Sequence, residues 1–222
     1  MQPFAEIYAR AAAHKGGEAE LAALLAPQGR RPSLARLQDD RVLAEMTRCV
    51  FRSGFVWKVI EAKWPGFEAA FHDFDVTRCA MLSDEELEAL AQNAEIVRNA
   101  KKIASVRDNA QYVLAVRETH GAYGKYLKSW PADDFVGLWD DLKRRGSRLG
   151  GQTGRFFLRF SGYDTPMLSA DVVAALIRAG VVDKEPTSKR ALAQTQDAFN
   201  AWRDESGRTL TEISRILAFS EG

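Results

Sequence analysis

Between Lys143 and Arg159 the chain carries Lys143, Arg144, Arg145, Arg148, Arg155 and Arg159 with no acidic residue among them, wrapped around the run Gly150-Gly151-Gln152-Thr153-Gly154. Glycines there let the backbone reach positive φ and let another backbone approach closely. A helix starting just after them presents unpaired N–H groups to an anion. A phosphate fits such a turn; so does an ordinary glycine-capped junction with solvated arginines. Twelve or so residues further on stands a lone carboxylate, Asp171, in the context Ser-Ala-Asp-Val-Val. It is either a group for acid–base or electrostatic chemistry or the N-cap of a helix. Upstream, Trp57, Glu61 and Trp64 are spaced i, i+4, i+7, which places two indoles and one carboxylate on one helical face, with Phe51 and Phe55 flanking Trp57. Such aromatics form either a stacking slot or a core.

The elements that must position these groups follow from composition and periodicity. A chain of 222 residues, 46% hydrophobic and 27% charged, with net charge +1, describes a globular protein with a continuous core and a local rather than global basic patch. No stretch approaches the run of roughly 20 apolar residues that a membrane span needs, and no signal peptide is legible at the N-terminus, so a cytoplasmic protein is expected. Cys49 and Cys79 lie in helix-like segments outside any CxxC and read as buried free thiols. Only His14, His72 and His120 accompany them, so no metal site and no cofactor is expected.

Helical spacing predicts elements over Phe4–Ala13, Glu18–Ala26, Arg41–Arg52 after a cap at Asp39 or Asp40, and Phe55–Trp64. A basic turn is expected over Gln28–Pro32, and Pro65 starts a further helix. Ser83 with Glu86 has the spacing of a capping box. Further helices are predicted over Ile96–Val116, with a core-facing side and a solvated basic side, and over Tyr123–Trp130, Pro131–Arg145, Ser169–Ala179, Thr187–Arg203 and Thr209–Phe219. Nothing alternates at period two for long. The fold is therefore all-α, with roughly ten helices and a hairpin over about 142–171.

Two blocks carry a resemblance: EMTRCVFRSGFVWKVIEAKWPGFEAAFHDFD, and NAEIVRNAKKIASVRDNAQYVL. They are similar to the central part of the 3-methyladenine DNA glycosylase I (Tag) family, within the helix-hairpin-helix DNA glycosylase superfamily, over about Asp39 to Lys184. The resemblance implies a helix-hairpin-helix glycosylase-like domain spanning 1–222, built as two helical lobes with a cleft. It also implies hydrolysis of the N-glycosidic bond of an alkylated purine flipped out of duplex DNA. The hairpin residues Arg148, Gly150, Gly151, Thr153, Gly154 and Arg155 fall where that superfamily holds the DNA backbone. Trp57 matches the pocket tryptophan, and with Phe51 and Phe55 it would stack a cationic base, a cation–π attraction of about 0.5–2 kcal/mol.

The chain departs from the family in two places. Cys49 stands where the base-reading glutamate is expected, so Glu61 is either its replacement as an acceptor or a surface ion pair. The family's zinc ligands have no counterparts in FAEIYARAAAHKGGEAE or in Ser169–Gly180. Asp171 lies where most of the superfamily carries a catalytic aspartate, although Tag proteins are usually described as lacking it. Arg159–Ala170 contains no lysine, so no Schiff-base lyase is expected. The partner implied is double-stranded DNA containing damaged bases, and the protein is expected to be a nucleoid-associated monomer without membrane contact. A non-catalytic lesion- or structure-binding protein is the alternative, motivated by Cys49.

Overall fold

The computed structural model describes residues 1–26 and 33–222, and the basic turn expected over Gln28–Pro32 lies outside them. Among the described residues there are fourteen α-helices and no strand. In chain order, the first seven are α1 (Phe4–Lys15), α2 (Glu18–Leu25), α3 (Asp39–Arg52), α4 (Trp57–Ala62), α5 (Trp64–Ala70), α6 (Val76–Ala80) and α7 (Asp84–Leu90). Then come α8 (Ala100–His120), α9 (Tyr123–Ser129), α10 (Phe135–Arg145), α11 (Gln152–Phe160), α12 (Ala170–Arg178), α13 (Lys189–Ser206) and α14 (Leu210–Phe219).

Local rules explain where several of these begin and end. Ser83 and Glu86 form the reciprocal capping box at the start of α7, and Gly16 ends α1 in the left-handed conformation at φ 91°. Other boundaries differ from the sequence expectation. Gln38, not an aspartate, is the N-cap of α3, because the Asp39 carboxylate instead accepts from the Tyr123 amide at 2.8 Å. The stretch Phe55–Trp64 is broken at Lys63, and Pro65 sits in the first turn of α5, where its missing N–H costs nothing. Asn99 caps α8 by accepting from the Lys102 amide, so that helix starts after Ile96. Its buried residues include Lys102, Ser105 and Asn109, so polar positions on it are covered rather than solvated. Short helices such as α4 to α7 account for the count exceeding ten.

The described residues fall into two compact units, one drawn from Met1–Arg31, Pro131–Gly137 and Asp164–Gly222, the other from Pro32–Trp130 and Leu138–Tyr163. In the first, α1, α12 and α13 all pack on α14. Phe199, Trp202, Ile213 and Leu217 are fully buried there. The Asp164 carboxylate accepts from the amides of Leu210 at 2.9 Å and Thr211 at 2.8 Å, satisfying donors at the start of α14.

In the second unit α3 and α8 pack together, α6 and α9 lie on α8, and α11 lies on α3. An aromatic cluster fills one end: Phe51 meets Phe67 edge-on at 4.6 Å, and Trp64 stacks between Phe67 and Phe74, each at 5.4 Å. Polar clamps fix the hairpin. The buried Asp141 carboxylate accepts from the hydroxyls of Tyr112 at 2.8 Å and Tyr126 at 2.6 Å. Asn109 on α8 donates to the Ser147 carbonyl at 3.1 Å and accepts from the Ser147 amide at 2.8 Å.

The hairpin turn uses its glycines in different ways. Gly151 has φ 60° and is the N-cap of α11, whereas a Cβ on Gly154 would lie 2.2 Å from the Leu149 carbonyl oxygen. Positive φ also falls on a non-glycine residue, Arg148, at 62°. Gly154→Ala should therefore force the backbone apart and cost about 1–3 kcal/mol. Gly151→Ala meets no atom within 4 Å and carries only the conformational strain of a positive-φ backbone that favours glycine, about 1–3 kcal/mol. Thermal melting followed by circular dichroism measures both; an unchanged melting temperature for Gly154→Ala would contradict the close approach.

Candidate functional site

The turn that follows α3 is held by a buried lysine. Lys102 donates to the carbonyl oxygens of Phe51 at 3.2 Å and Ser53 at 2.5 Å, and its ammonium lies 4.5 Å from the Phe55 ring. These carbonyls belong to the end of a helix, where a cation is favoured. Burial, with Arg148 as a second cause, lowers the Lys102 pKa. The lysine thus sets the path of Ser53, Gly54 and Phe55 into α4.

Across that turn, α11 brings Gln152, Thr153, Phe156 and Phe160 to face Cys49, Arg52 and Trp57. Together with Ser53 and Gly54 they line a pocket of about 200 Å³, formed by residues of the second unit alone. Its walls are aromatic: Trp57 meets Phe156 edge-on at 5.5 Å and Phe160 at 6.2 Å, while Phe156 and Phe160 stack at 5.7 Å. Trp57 is 43% exposed, a large surface for a tryptophan that packs on three partners. A planar ring of nucleobase size is the kind of ligand such walls suit.

Charge in the pocket comes from one side chain. The Arg52 guanidinium lies 4.7 Å from the Trp57 ring and 5.3 Å from the Phe160 ring. It donates through Nε and Nη2 to Glu61 Oε1 at 3.1 and 2.7 Å. Glu45 approaches its Nη1 at 4.0 Å and also pairs with Arg48 at 3.5 Å. The Cys49 thiol donates to Glu45 Oε1 at 3.5 Å, and burial first, Glu45 second, push its pKa well above the ordinary thiol value. At this position the pocket offers a neutral thiol turned toward a carboxylate.

The proposed site residues are distributed as follows. Trp57 and Thr153 line the pocket. Phe51 is fully buried in the aromatic cluster against Phe67, and Phe55 lies under Lys102; neither lines the pocket. Glu61 is held by Arg52 and does not line it either, so its geometry is that of an ion pair. Gly150, Gly151 and Gly154 make the hairpin turn, Arg148 is exposed on it, and the Arg155 guanidinium stacks 4.1 Å from the Trp139 ring. Asp171 belongs to the first unit and is exposed in the first turn of α12; the N-cap is Ser169, whose hydroxyl accepts from Val172. Sequence reasoning missed Arg52, Gln152, Phe156 and Phe160. The available signals were Arg52 one turn beyond Cys49 on the same face, and the i, i+4 aromatics on the helix that opens at Gly151.

The comparison with known proteins covers most, though not all, of the pocket's lining, since Phe156 and Phe160 lie beyond the matched segment. Residues 34–153, more than half of the chain, match the family model for methyladenine glycosylase. The chain belongs to the methyladenine glycosylase family. As a member of it, the chain is 31% identical over 94 residues to DNA-3-methyladenine glycosylase 1 of Escherichia coli K12, covering 41% of this chain and 50% of that protein. The Haemophilus influenzae DNA-3-methyladenine glycosylase is 24% identical over 79 residues, 36% of this chain and 43% of that protein. The chain thus spans about half the length of the curated relatives it matches.

Solved structures agree on the fold. Staphylococcus aureus 3-methyladenine DNA glycosylase I, in a study of 3-methyladenine recognition, matches with a TM-score of 0.53 at 21% identity, covering 72% of this chain and 94% of that one. The Methanocaldococcus jannaschii 8-oxoguanine glycosylase/lyase, bound to a 15-mer DNA containing 8-oxoguanine, matches at 0.52 and 16% identity, covering 96% of each chain. The all-helical fold is shared with these DNA glycosylases. This member does not fit the zinc of the Tag pattern: α12 has no Cys or His, and the described residues contain no group of three His, Cys, Asp or Glu able to hold a metal.

Both thiols should be inert in the folded protein. Burial pushes Cys79 up to about 12 and holds Cys49 well above its usual value, so little thiolate exists near pH 8. Iodoacetamide should label neither residue until the chain is unfolded; rapid alkylation of Cys49 in the native state would contradict the buried thiol–carboxylate pairing.

Proposed function

We propose that the protein is a monofunctional DNA glycosylase that hydrolyses the N-glycosidic bond of an alkylated purine, the class of lesion after which its relatives are named. The observation that carries this reading is the lining of one pocket by Trp57 and by the first turn of the hairpin helix α11. An aromatic slot for a flipped base and an N-terminal helix turn suited to a phosphate are thereby within one nucleotide's reach. Stacking on the slot contributes about 1–3 kcal/mol per base, which offsets part of the cost of unstacking it from the duplex. Hairpin amides and Arg148 hold the backbone without reading sequence.

Cleavage then needs stabilisation of an oxocarbenium-like sugar and a water nucleophile. Asp171 is the carboxylate proposed for this role. No lysine lines the pocket and none lies in 159–170, which supports base release without a Schiff base. The second reading, a lesion binder without excision, is favoured by one observation: at Cys49 the pocket has a thiol that donates to Glu45 in place of a carboxylate that could accept from a base.

If the hairpin holds phosphates, Arg148→Ala should weaken binding to damaged and undamaged duplex alike and lower the salt slope of log Kobs by about one. Equal slopes for variant and wild type would contradict this contact. In single-turnover assays on methylated duplex, Asp171→Asn should keep lesion affinity while lowering the rate by roughly a hundredfold or more. A rate largely retained on 3-methyladenine, with Trp57→Ala as the damaging change, would show that the charge of the leaving base drives the reaction instead. Release of no base by the wild type, despite binding, would leave the lesion-binding reading in its place.

A further inference from the structure

We propose that Arg52 sets the base selectivity of this pocket, so that it favours an uncharged alkylated purine with acceptor atoms on its exposed edge over a cationic one such as 3-methyladenine. The inference rests on the glycosylase reading above and narrows its substrate class. Three observations carry it. First, the aromatic walls beside which a cationic base would lie already carry a cation, with the Arg52 guanidinium 4.7 Å from the Trp57 ring and 5.3 Å from that of Phe160. A second cation would find part of that attraction taken and would stand next to N–H donors rather than acceptors.

Second, no carboxylate is available to a base in the pocket. Glu61 is engaged by Nε and Nη2 of Arg52, and Glu45 receives the Cys49 thiol and Arg48. Neither glutamate lines the pocket, and Arg52 is the charged residue that does. The two glutamates anchor the guanidinium from outside the pocket lining. Third, Arg52 retains donors. Its Nη1 makes no hydrogen bond among the described residues, the nearest carboxylate oxygen being Glu45 Oε1 at 4.0 Å. Guanidinium N–H groups recognise acceptor pairs such as N7 and O6 of a guanine-type base, and they are repelled by a ring bearing positive charge. Purines alkylated at O6 of guanine keep N7 and O6 as acceptors and carry no charge, so they are the class this arrangement suits.

Equilibrium binding tests selectivity apart from cleavage. Duplexes carrying O6-methylguanine or 3-methyladenine on a 2′-fluoro sugar, which resists hydrolysis, are titrated with the full-length protein. The wild type should bind the O6-methylguanine duplex about tenfold or more tighter, the scale of one good arginine–base contact. Arg52→Gln should shift that ratio about tenfold toward 3-methyladenine. Arg52→Lys, which keeps the charge but loses the planar fork, should still disfavour 3-methyladenine while binding O6-methylguanine more weakly. Tighter wild-type binding to 3-methyladenine, or a ratio unmoved by Arg52→Gln, would overturn the inference. Should the glutamine variant fail to fold by its melting profile, the wild-type ratio and the lysine variant decide. Excision from the cleavable counterparts keeps the two readings separate. Base release with an unmoved ratio defeats the role of Arg52 alone, and the expected binding shift without any release defeats the glycosylase reading alone.

Discussion

A single buried carboxylate holds the pocket-bearing unit in register. Asp141 accepts from Tyr112 on α8 and Tyr126 on α9, and Arg145 lies 3.7 Å from the same oxygen. Each phenol donates outright, because burial, reinforced by neighbouring groups, raises the pKa of both tyrosines. A buried anion with two hydroxyl donors and a nearby guanidinium is satisfied, and it is satisfied in one geometry only. That geometry fixes α10 on α8 and α9. The Asn109–Ser147 pair then fixes the turn after α10, and the near contact between Gly154 and Leu149 fixes α11 on the turn. The positions of Thr153 and Phe156 relative to Trp57 follow from this chain of constraints.

The pocket places a neutral thiol and a guanidinium side by side. Cys49 lines the pocket while the nearby carboxylates stand outside its lining: Glu45 lies one turn before it on α3, and Glu61 stands on α4. Arg52 joins them through Glu61 and lies over the indole. The charged residue that lines the pocket is thus a donor-bearing cation, beside the neutral thiol of Cys49. Arg48 repeats the arrangement nearby, with its guanidinium 4.0 Å from the Trp64 ring and the same two glutamates within ion-pair range. Along α3, arginine on indole is a repeated packing device, and Arg52 is the instance that lines the pocket.

How much of this was legible in the sequence depends on whether a feature was local. The all-α class, the capping box at Ser83 and the glycine-rich hairpin are set by neighbours within a few positions, and pattern alone gives them. The same is true of the helix that starts after Ser169. The beginning of α3 was misplaced because Asp39 is drawn to an amide 84 residues away. Phe51 and Trp57 have the same apparent credentials in sequence, an aromatic on a helix beside a glycine turn. Only their long-range partners separate them, Phe67 for the core residue and α11 for the pocket residue. Glu61 illustrates the limit most clearly. Its i+4 relation to Trp57 is real, yet its partner is Arg52 on the preceding helix, across the Ser53–Val56 turn, and a helical-face argument does not reach across that break.

The division of the chain has a consequence for its synthesis. The unit that contains the pocket is complete once residue 163 has been made, and its two sequence segments are separated by only a short excursion. The other unit is assembled from three segments, and its central helix, α14, follows every other described helix. During vectorial translation α1 must therefore wait, without its main packing partner, while some 190 residues are added, an interval of about ten seconds or more at ordinary elongation rates. The pocket-bearing unit can condense early around contacts of moderate sequence separation. The unit that carries Asp171 can reach its native packing only after α14 has been made. A nascent chain would thus possess the aromatic pocket and the hairpin before α12 and Asp171 have a folded setting.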